Sequence, residues 1–473
     1  MPANWCAAPS ANGRDRRSAV AGEGASGSRA RGRLRSAGVS CVLAALVCAL
    51  SATCASAIPT PQQDPFYSYS GATPLARIPP GTVLKTRELS YHLVGIPLPI
   101  TVVQLLYRST DQLGQPAVNV TSVLEPAPHQ GSTNVVAYES FYDSLNPDDE
   151  PSYQIAGGVT LGGLIPDVET ALIVPELLEG DAVVVADTEG ENADFADGPE
   201  YGMYTLDSLR AALSSPATGL AHTRKIGIIG YSGGAIGAEW AAQMAPTYAP
   251  DINRLLVGAA MGGVLVDPDH NLWYVNGSSA WAGIIPMAVI GVARSFHVDL
   301  TQYLSPEGVQ LYNQLQTASI LNVLLQYPGL TFQQLLLPQY TPPENIPIYV
   351  NIVNQLIMGA SGTPTIPLFI GQGAGDDEDG TVGNQPGIGG GDGVMVAGDV
   401  RTLASEYCQR GVPVQYNEYD GWDHVVSALF WVAQALPWLN DRFAGQTPPQ
   451  DCSTIPPGNS LAPVALGVTP ITP

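Results

Sequence analysis

Positive charge is scarce in this chain of 473 residues: Lys and Arg total 19 against 42 Asp and Glu. Seven of those basic residues and two of the acids fall within the first 57 positions, so the remainder carries 12 against 40, a net charge of about −28. Such a surface repels phosphate backbones and anionic headgroups, which excludes nucleic acid as a partner and electrostatic docking on acidic lipid. Cysteine is nearly absent as well. Cys6, Cys41, Cys48 and Cys54 lie in the same N-terminal stretch, leaving Cys408 and Cys452. In an oxidising compartment two cysteines most simply pair with each other; two free thiols are the alternative. Beyond residue 57 no segment has the length and uniform apolarity of a membrane-spanning helix. What remains is apolar enough, at 45% hydrophobic and 13% charged residues, to fill a large core.

The first 57 residues read as a secretory signal peptide. Arg14, Arg16, Arg17, Arg29, Arg31, Arg33 and Arg35 form a basic region, residues 39–50 an apolar one, and Ala55-Ser56-Ala57 a small-x-small cleavage site before Ile58. An uncleaved anchor is the competing reading, but the apolar run is short for a span. The remainder is therefore expected outside the cell.

Between residues 82 and 124, apolar and polar positions alternate in short runs broken by Gly and Pro, as in antiparallel strands. Asn119-Val120-Thr121 is formally a glycosylation sequon, yet it falls inside this strand pattern. Continuous apolar runs follow at 135–138, 182–186, 226–229, 255–259, 367–370 and 412–416, with helical stretches such as 204–213 between them. That alternation predicts an α/β fold on a mostly parallel central sheet. Residues 267–360 break the rhythm with helical spacing (Ile320, Val323, Leu324; Phe332, Leu335, Leu336) and read as a helical cap or lid, or as extra core helices. The expected layout is a first core segment at 58–266, the cap at 267–360, a second core segment at 361–445 and a Pro-rich tail at 446–473.

Chemistry enters at Gly230-Tyr231-Ser232-Gly233-Gly234. With 51 glycines in the chain the pattern alone recurs by chance; its context is what counts. A buried strand precedes it and a helix follows, the arrangement of a nucleophile elbow that exposes Ser232 at a helix N-terminus. A serine needs a base, and the base needs an acid that fixes its tautomer. In this fold the acid and then the histidine follow the serine. His92, His129 and His222 precede Ser232, and His270 and His297 fall in the cap, which leaves His424 as the base. Two acids follow the strand at 367–370: Asp376, in an acidic run, and Asp392, beyond a Gly-rich stretch. A calcium loop is a rival reading of the acidic run, but Gly375 would occupy its first ligand position if Gly380 were the turn glycine. No metal or cofactor is called for.

These residues carry a resemblance. Pro80-Gly81-Thr82-Val83-Leu84, the run 104–111, Tyr142-Asp143-Ser144 with Pro151-Ser152-Tyr153, Leu206-Asp207-Ser208-Leu209-Arg210-Ala211, the elbow, Tyr248-Ala249-Pro250-Asp251 and the run 438–443 resemble the secretory lipase family, the α/β-hydrolases typified by fungal lipase A. The resemblance spans most of residues 58–473. It implies an α/β-hydrolase fold, carboxylic ester hydrolysis on acylglycerol substrates, and an oxyanion hole at Asp143 and Gly233. It also favours Asp392 as the acid, since Asp392-Gly393-Val394-Met395-Val396 leading towards Cys408 matches the family's acid motif, except that Val396 replaces a Pro. Asp376 stays open as the second candidate. The family's disulfide near the oxyanion loop has no counterpart; Asp148 and Asp149 stand there. An apolar cap would also be the seat of transient contact with a lipid interface. An acyltransferase using the same three residues, and a non-catalytic envelope-associated binding protein on the same fold, are the alternatives.

Overall fold

The computed structural model describes residues 58–126, 134–375 and 380–467. The N-terminal stretch read as a signal peptide, His129 and Asp376 lie outside these residues.

Nine strands form one sheet among the described residues. Strands β1 (Val83–Leu93), β2 (Ile96–Thr110) and β3 (Pro116–Leu124) form an antiparallel meander, and β3 runs antiparallel to β5 (Ala182–Ala186). From β5 onward the pairing is parallel through β4 (Asn134–Glu139), β6 (Lys225–Tyr231), β7 (Leu256–Gly262), β8 (Leu368–Ala374) and β9 (Val414–Asp420). The spatial order is β1-β2-β3-β5-β4-β6-β7-β8-β9. The apolar runs thus become the parallel strands, and the alternating segment becomes the antiparallel edge. The last three strands end three to four residues later than their apolar runs, because the residues at their C-terminal ends, in β8 and β9 largely Gly or polar, still pair. Asn119 is buried in β3 and donates to the Asp187 carbonyl, so the sequon has no exposed acceptor.

Helices cover both faces. Helix α1 spans Leu164–Glu179, α2 Gly198–Ser214 and α3 Gly233–Tyr248; α4 (Pro268–Val275) and α5 (Ile284–Ser295) follow β7; α6 (Ala397–Gln409) and α7 (His424–Phe443) flank β9. One sheet face packs Val135, Val184, Ile228 and Ile370 against α2, α3 and α6. The other packs Val136, Val185, Ile229 and Phe369 against Ile173 of α1 and against Trp431, Trp438 and Leu439 of α7. The helices between β7 and β8 bury a third apolar cluster of their own, including Trp273, Trp281, Ile285 and Phe332, which meets the sheet domain at Leu145, Phe195 and Val394. Burying large side chains at roughly 1.5–3 kcal/mol each gives this insertion a stable interior.

Cys408 of α6 is disulfide-bonded to Cys452 across 44 residues. Although residues 446–467 form neither helix nor strand, Asn459 ties them down: it donates to Asp399 at 2.7 Å and to the Ile388 carbonyl at 2.8 Å, and its carbonyl accepts from Thr402 at 2.6 Å.

Candidate active site

Strand β6 ends at Tyr231 and α3 begins at Gly233, so Ser232 alone makes the turn, at φ 54° and ψ −124°. A non-glycine residue adopts such an angle only where its surroundings over-determine it. Here its N–H donates to the Gly262 carbonyl at 2.8 Å. The turn is tight because glycines flank it. A Cβ on Gly234 would lie 2.0 Å from the Glu139 carbonyl oxygen, and one on Gly233 1.7 Å from Asp143 Oδ1.

Ser232 Oγ is 2.8 Å from His424 Nε2, and His424 Nδ1 is 2.8 Å from Asp392 Oδ2. His424 is the first residue of α7, whose N-cap Asp423 accepts the Val426 N–H. Tyr231 donates its hydroxyl to the His424 carbonyl at 2.6 Å, and the imidazole packs beside the Tyr231 and Trp281 rings. Asp392 is buried. Its Oδ1 accepts from the Met395 N–H at 2.7 Å and the Val394 N–H at 3.2 Å, and its carbonyl accepts the His424 N–H at 2.7 Å. The Gly-rich composition of β8 has a physical cause at Gly373, where a Cβ would come within 2.7 Å of Asp392 Cβ and 2.4 Å of Ser427 Oγ. Asp392 is thus hydrogen-bonded to His424; Asp376 lies outside the described residues.

Asp143 sits in the loop after β4 at φ 39°. Burial pushes its carboxyl up to about 7, with nearby His424 pulling the other way. The acids at 148 and 149 help to brace this loop: Ser144 donates its hydroxyl to Asp149 Oδ2 at 2.6 Å, and Asn146 Oδ1 accepts the Asp148 N–H. His270, excluded from the chemistry by its position, is 2.9 Å from Asp399 instead.

Two polar side chains beside the site were invisible to sequence reasoning. Gln372, fully buried on β8, donates to Asp392 Oδ2 at 2.9 Å and accepts the Val264 N–H at 3.1 Å. Glu169 of α1 accepts from Ser140 Oγ at 2.6 Å and the Phe141 N–H at 2.7 Å, and burial pushes it up to about 8. A polar residue inside an apolar strand was the available signal for Gln372; nothing local marked Glu169.

Ser232, His424, Asp143 and Glu169 open onto a cavity of about 350 Å³ whose other walls are apolar, among them Ile165, Leu172, Trp281, Leu321, Leu324 and Val432. Val168, Val425 and Leu429 also line it and are 44%, 53% and 68% exposed. Among the described residues, no group of three or more His, Cys, Asp or Glu is arranged to hold a metal ion, and no helix is long and apolar enough to cross a membrane.

The profile of a secretory lipase family matches residues 157–384. Lipase 2 of Candida albicans is 30% identical over 412 residues, 83% of each chain. The chain belongs to the secretory lipase family. A probable inactive lipase of Mycobacterium tuberculosis is likewise 30% identical to this family member, over 397 residues that cover 82% of the chain and 83% of the relative. The crystal structure of Candida antarctica lipase A superposes on this family member with a TM-score of 0.73 at 25% identity, covering 87% of this chain and 92% of that one. The α/β-hydrolase fold is shared.

Buried carboxyls contribute to the pH dependence of the fold's stability. Burial pushes Glu139 and Glu169 up to about 8 and Asp143 and Glu239 up to about 7. A carboxyl whose folded value exceeds its unfolded value of about 4 favours the fold fully below pH ~4, and that contribution is lost as pH rises through the folded value. The thermal midpoint is therefore expected to fall by several degrees between about pH 5 and about pH 8, at roughly 1 °C per kcal/mol for a domain of this size. Thermal melts followed by circular dichroism across that range check it; a midpoint that rises with pH contradicts it.

Proposed function

We propose that this protein is a secreted serine-dependent carboxylic ester hydrolase acting on acylglycerols. The observation that carries the reading is the continuous hydrogen-bonded line Ser232 Oγ, His424, Asp392, each link 2.8 Å. His424 Nε2 takes the Ser232 proton as Oγ attacks the ester carbonyl, while Asp392 holds Nδ1–H towards itself and stabilises the imidazolium. The N–H of Gly233, at the start of α3 where the first turn has no intrahelical acceptor, and that of Asp143 stabilise the oxyanion. His424 then protonates the leaving alcohol, and water, activated by the same imidazole, releases the acid from the acyl-enzyme. The apolar cavity walls suit a fatty acyl chain. The exposed rim of Val168, Val425 and Leu429 suits contact with an uncharged lipid interface, a contact made by α1 and α7 beside the cap. Export is supported by the N-terminal pattern of residues 1–57 and by the secretory family.

One observation favours a second reading, a non-catalytic member of the family: the mycobacterial relative is named a probable inactive lipase. A fluorophosphonate probe separates the two. Intact-mass and peptide analysis are expected to find a single adduct on Ser232, absent from His424→Ala; a folded wild type that does not label favours the non-catalytic reading.

A further inference from the structure

Arg294, on α5 of the insertion, lies among backbone carbonyls from three separate segments. Its Nη1 donates to Leu145 O at 2.9 Å, to Asn192 O at 3.0 Å and to Ala193 O at 3.3 Å. Its Nη2 donates to the Gln316 carbonyl and, at 3.3 Å, to Gln316 Oε1. Leu145 belongs to the loop that carries Asp143. The insertion meets that loop a second time close by: the Leu145 N–H donates to Ala318 O and the Ile320 N–H to Asp143 O, both at 2.8 Å, around an antiparallel bridge between Ser144 and Ser319. Thus the main chain of Asp143 is held from the insertion by its own carbonyl, and Arg294 fixes both strands of that bridge, through Leu145 and through Gln316.

We propose that Arg294 is a positioning residue for the oxyanion hole, making the helical insertion part of the machinery that places the Asp143 N–H. The proposal rests on the reading of Asp143 as an oxyanion donor. A guanidinium is suited to this work because its planar fork of five N–H donors satisfies several carbonyls at once, whereas an ammonium on a flexible stem offers a single point charge. The oxyanion exists only during acyl transfer, so a donor displaced by about 1 Å weakens the transition state on the order of 10²-fold and leaves substrate binding nearly unchanged. Tighter packing alone would instead alter stability without a selective effect on kcat.

The test uses Arg294→Lys and Arg294→Ala beside wild type, with kcat, KM, thermal midpoint and the inhibition constant of an alkyl trifluoromethyl ketone, whose serine adduct carries the oxyanion. Both variants are expected to lose kcat by about 10- to 100-fold at near-constant KM, to lose ketone affinity in proportion, and, for Arg294→Ala, to regain activity with methylguanidinium at non-denaturing concentration. Lys is the conservative variant should Ala fail to fold. A folded Arg294→Lys with wild-type kcat overturns the proposal, as does a kcat loss with unchanged ketone affinity. Absence of hydrolysis and of Ser232 labelling in wild type removes the underlying reading and this proposal with it; hydrolysis in wild type with unaffected Arg294 variants removes the proposal alone.

Discussion

Alanine at position 424 lowers kcat for ester hydrolysis by about 10⁶-fold, the loss expected when a triad loses its base. Without the imidazole Ser232 loses the base its hydroxyl is bonded to, since Asp392 meets the serine through the ring. The fold survives because Asp392 keeps three other N–H donors, from Gln372, Val394 and Met395, and is not left as a bare buried charge. The His424 main chain, which bonds Asp392 and Tyr231, is unaffected by the substitution. The stability cost is then that of a small core truncation, about 1–2 kcal/mol. Rates and thermal melts measured together check the pair of outcomes; a variant retaining a tenth of wild-type kcat contradicts the assigned role.

Alanine at position 234 unfolds the protein or destabilises it by more than about 4 kcal/mol. Gly→Ala in a helix ordinarily gains about 1 kcal/mol of propensity. Here the new methyl would lie 2.0 Å from the Glu139 carbonyl oxygen and 2.8 Å from its carbon. Those are main-chain atoms at the end of β4, paired with Gly230 of β6, so they cannot yield without parting the strands that carry Ser232 and the Asp143 loop. Gly237, one turn further along α3, is the control. Its Cβ would meet only the tip of the Glu139 side chain, at 2.9 Å, and Gly237→Ala is expected to stay within about 1 kcal/mol of wild type. Denaturant unfolding of the two variants distinguishes them, and equal stabilities would contradict the close-packing account of the elbow.

The parts of the site that sequence made legible are those built from contiguous residues. Ser232 was readable because a strand, a turn and a helix follow one another directly, and His424 because it opens a helix after the last strand. Asp392 was ambiguous for a physical reason. Asp392 lies well beyond the end of β8, so position along the chain alone did not choose between it and Asp376. Asp143 was reached through family resemblance alone, since its loop has no periodicity to read. Gln372, Glu169 and Arg294 stayed hidden because their partners lie far away in sequence: Gln372 bonds a residue twenty positions on, and Arg294 bonds a carbonyl 149 positions back. The sheet was legible from its apolar runs, but the order of β4 and β5 and the seam between the insertion and the Asp143 loop are tertiary facts.

The most direct test of the central claim is hydrolysis of p-nitrophenyl esters, from acetyl to palmitoyl, by the chain from Ile58 onward, beside Ser232→Ala. The account predicts turnover by the wild type that rises towards longer acyl chains and vanishes in a folded Ser232→Ala. A folded wild type that hydrolyses none of the series, or a Ser232→Ala protein that hydrolyses them as well as wild type, would contradict it.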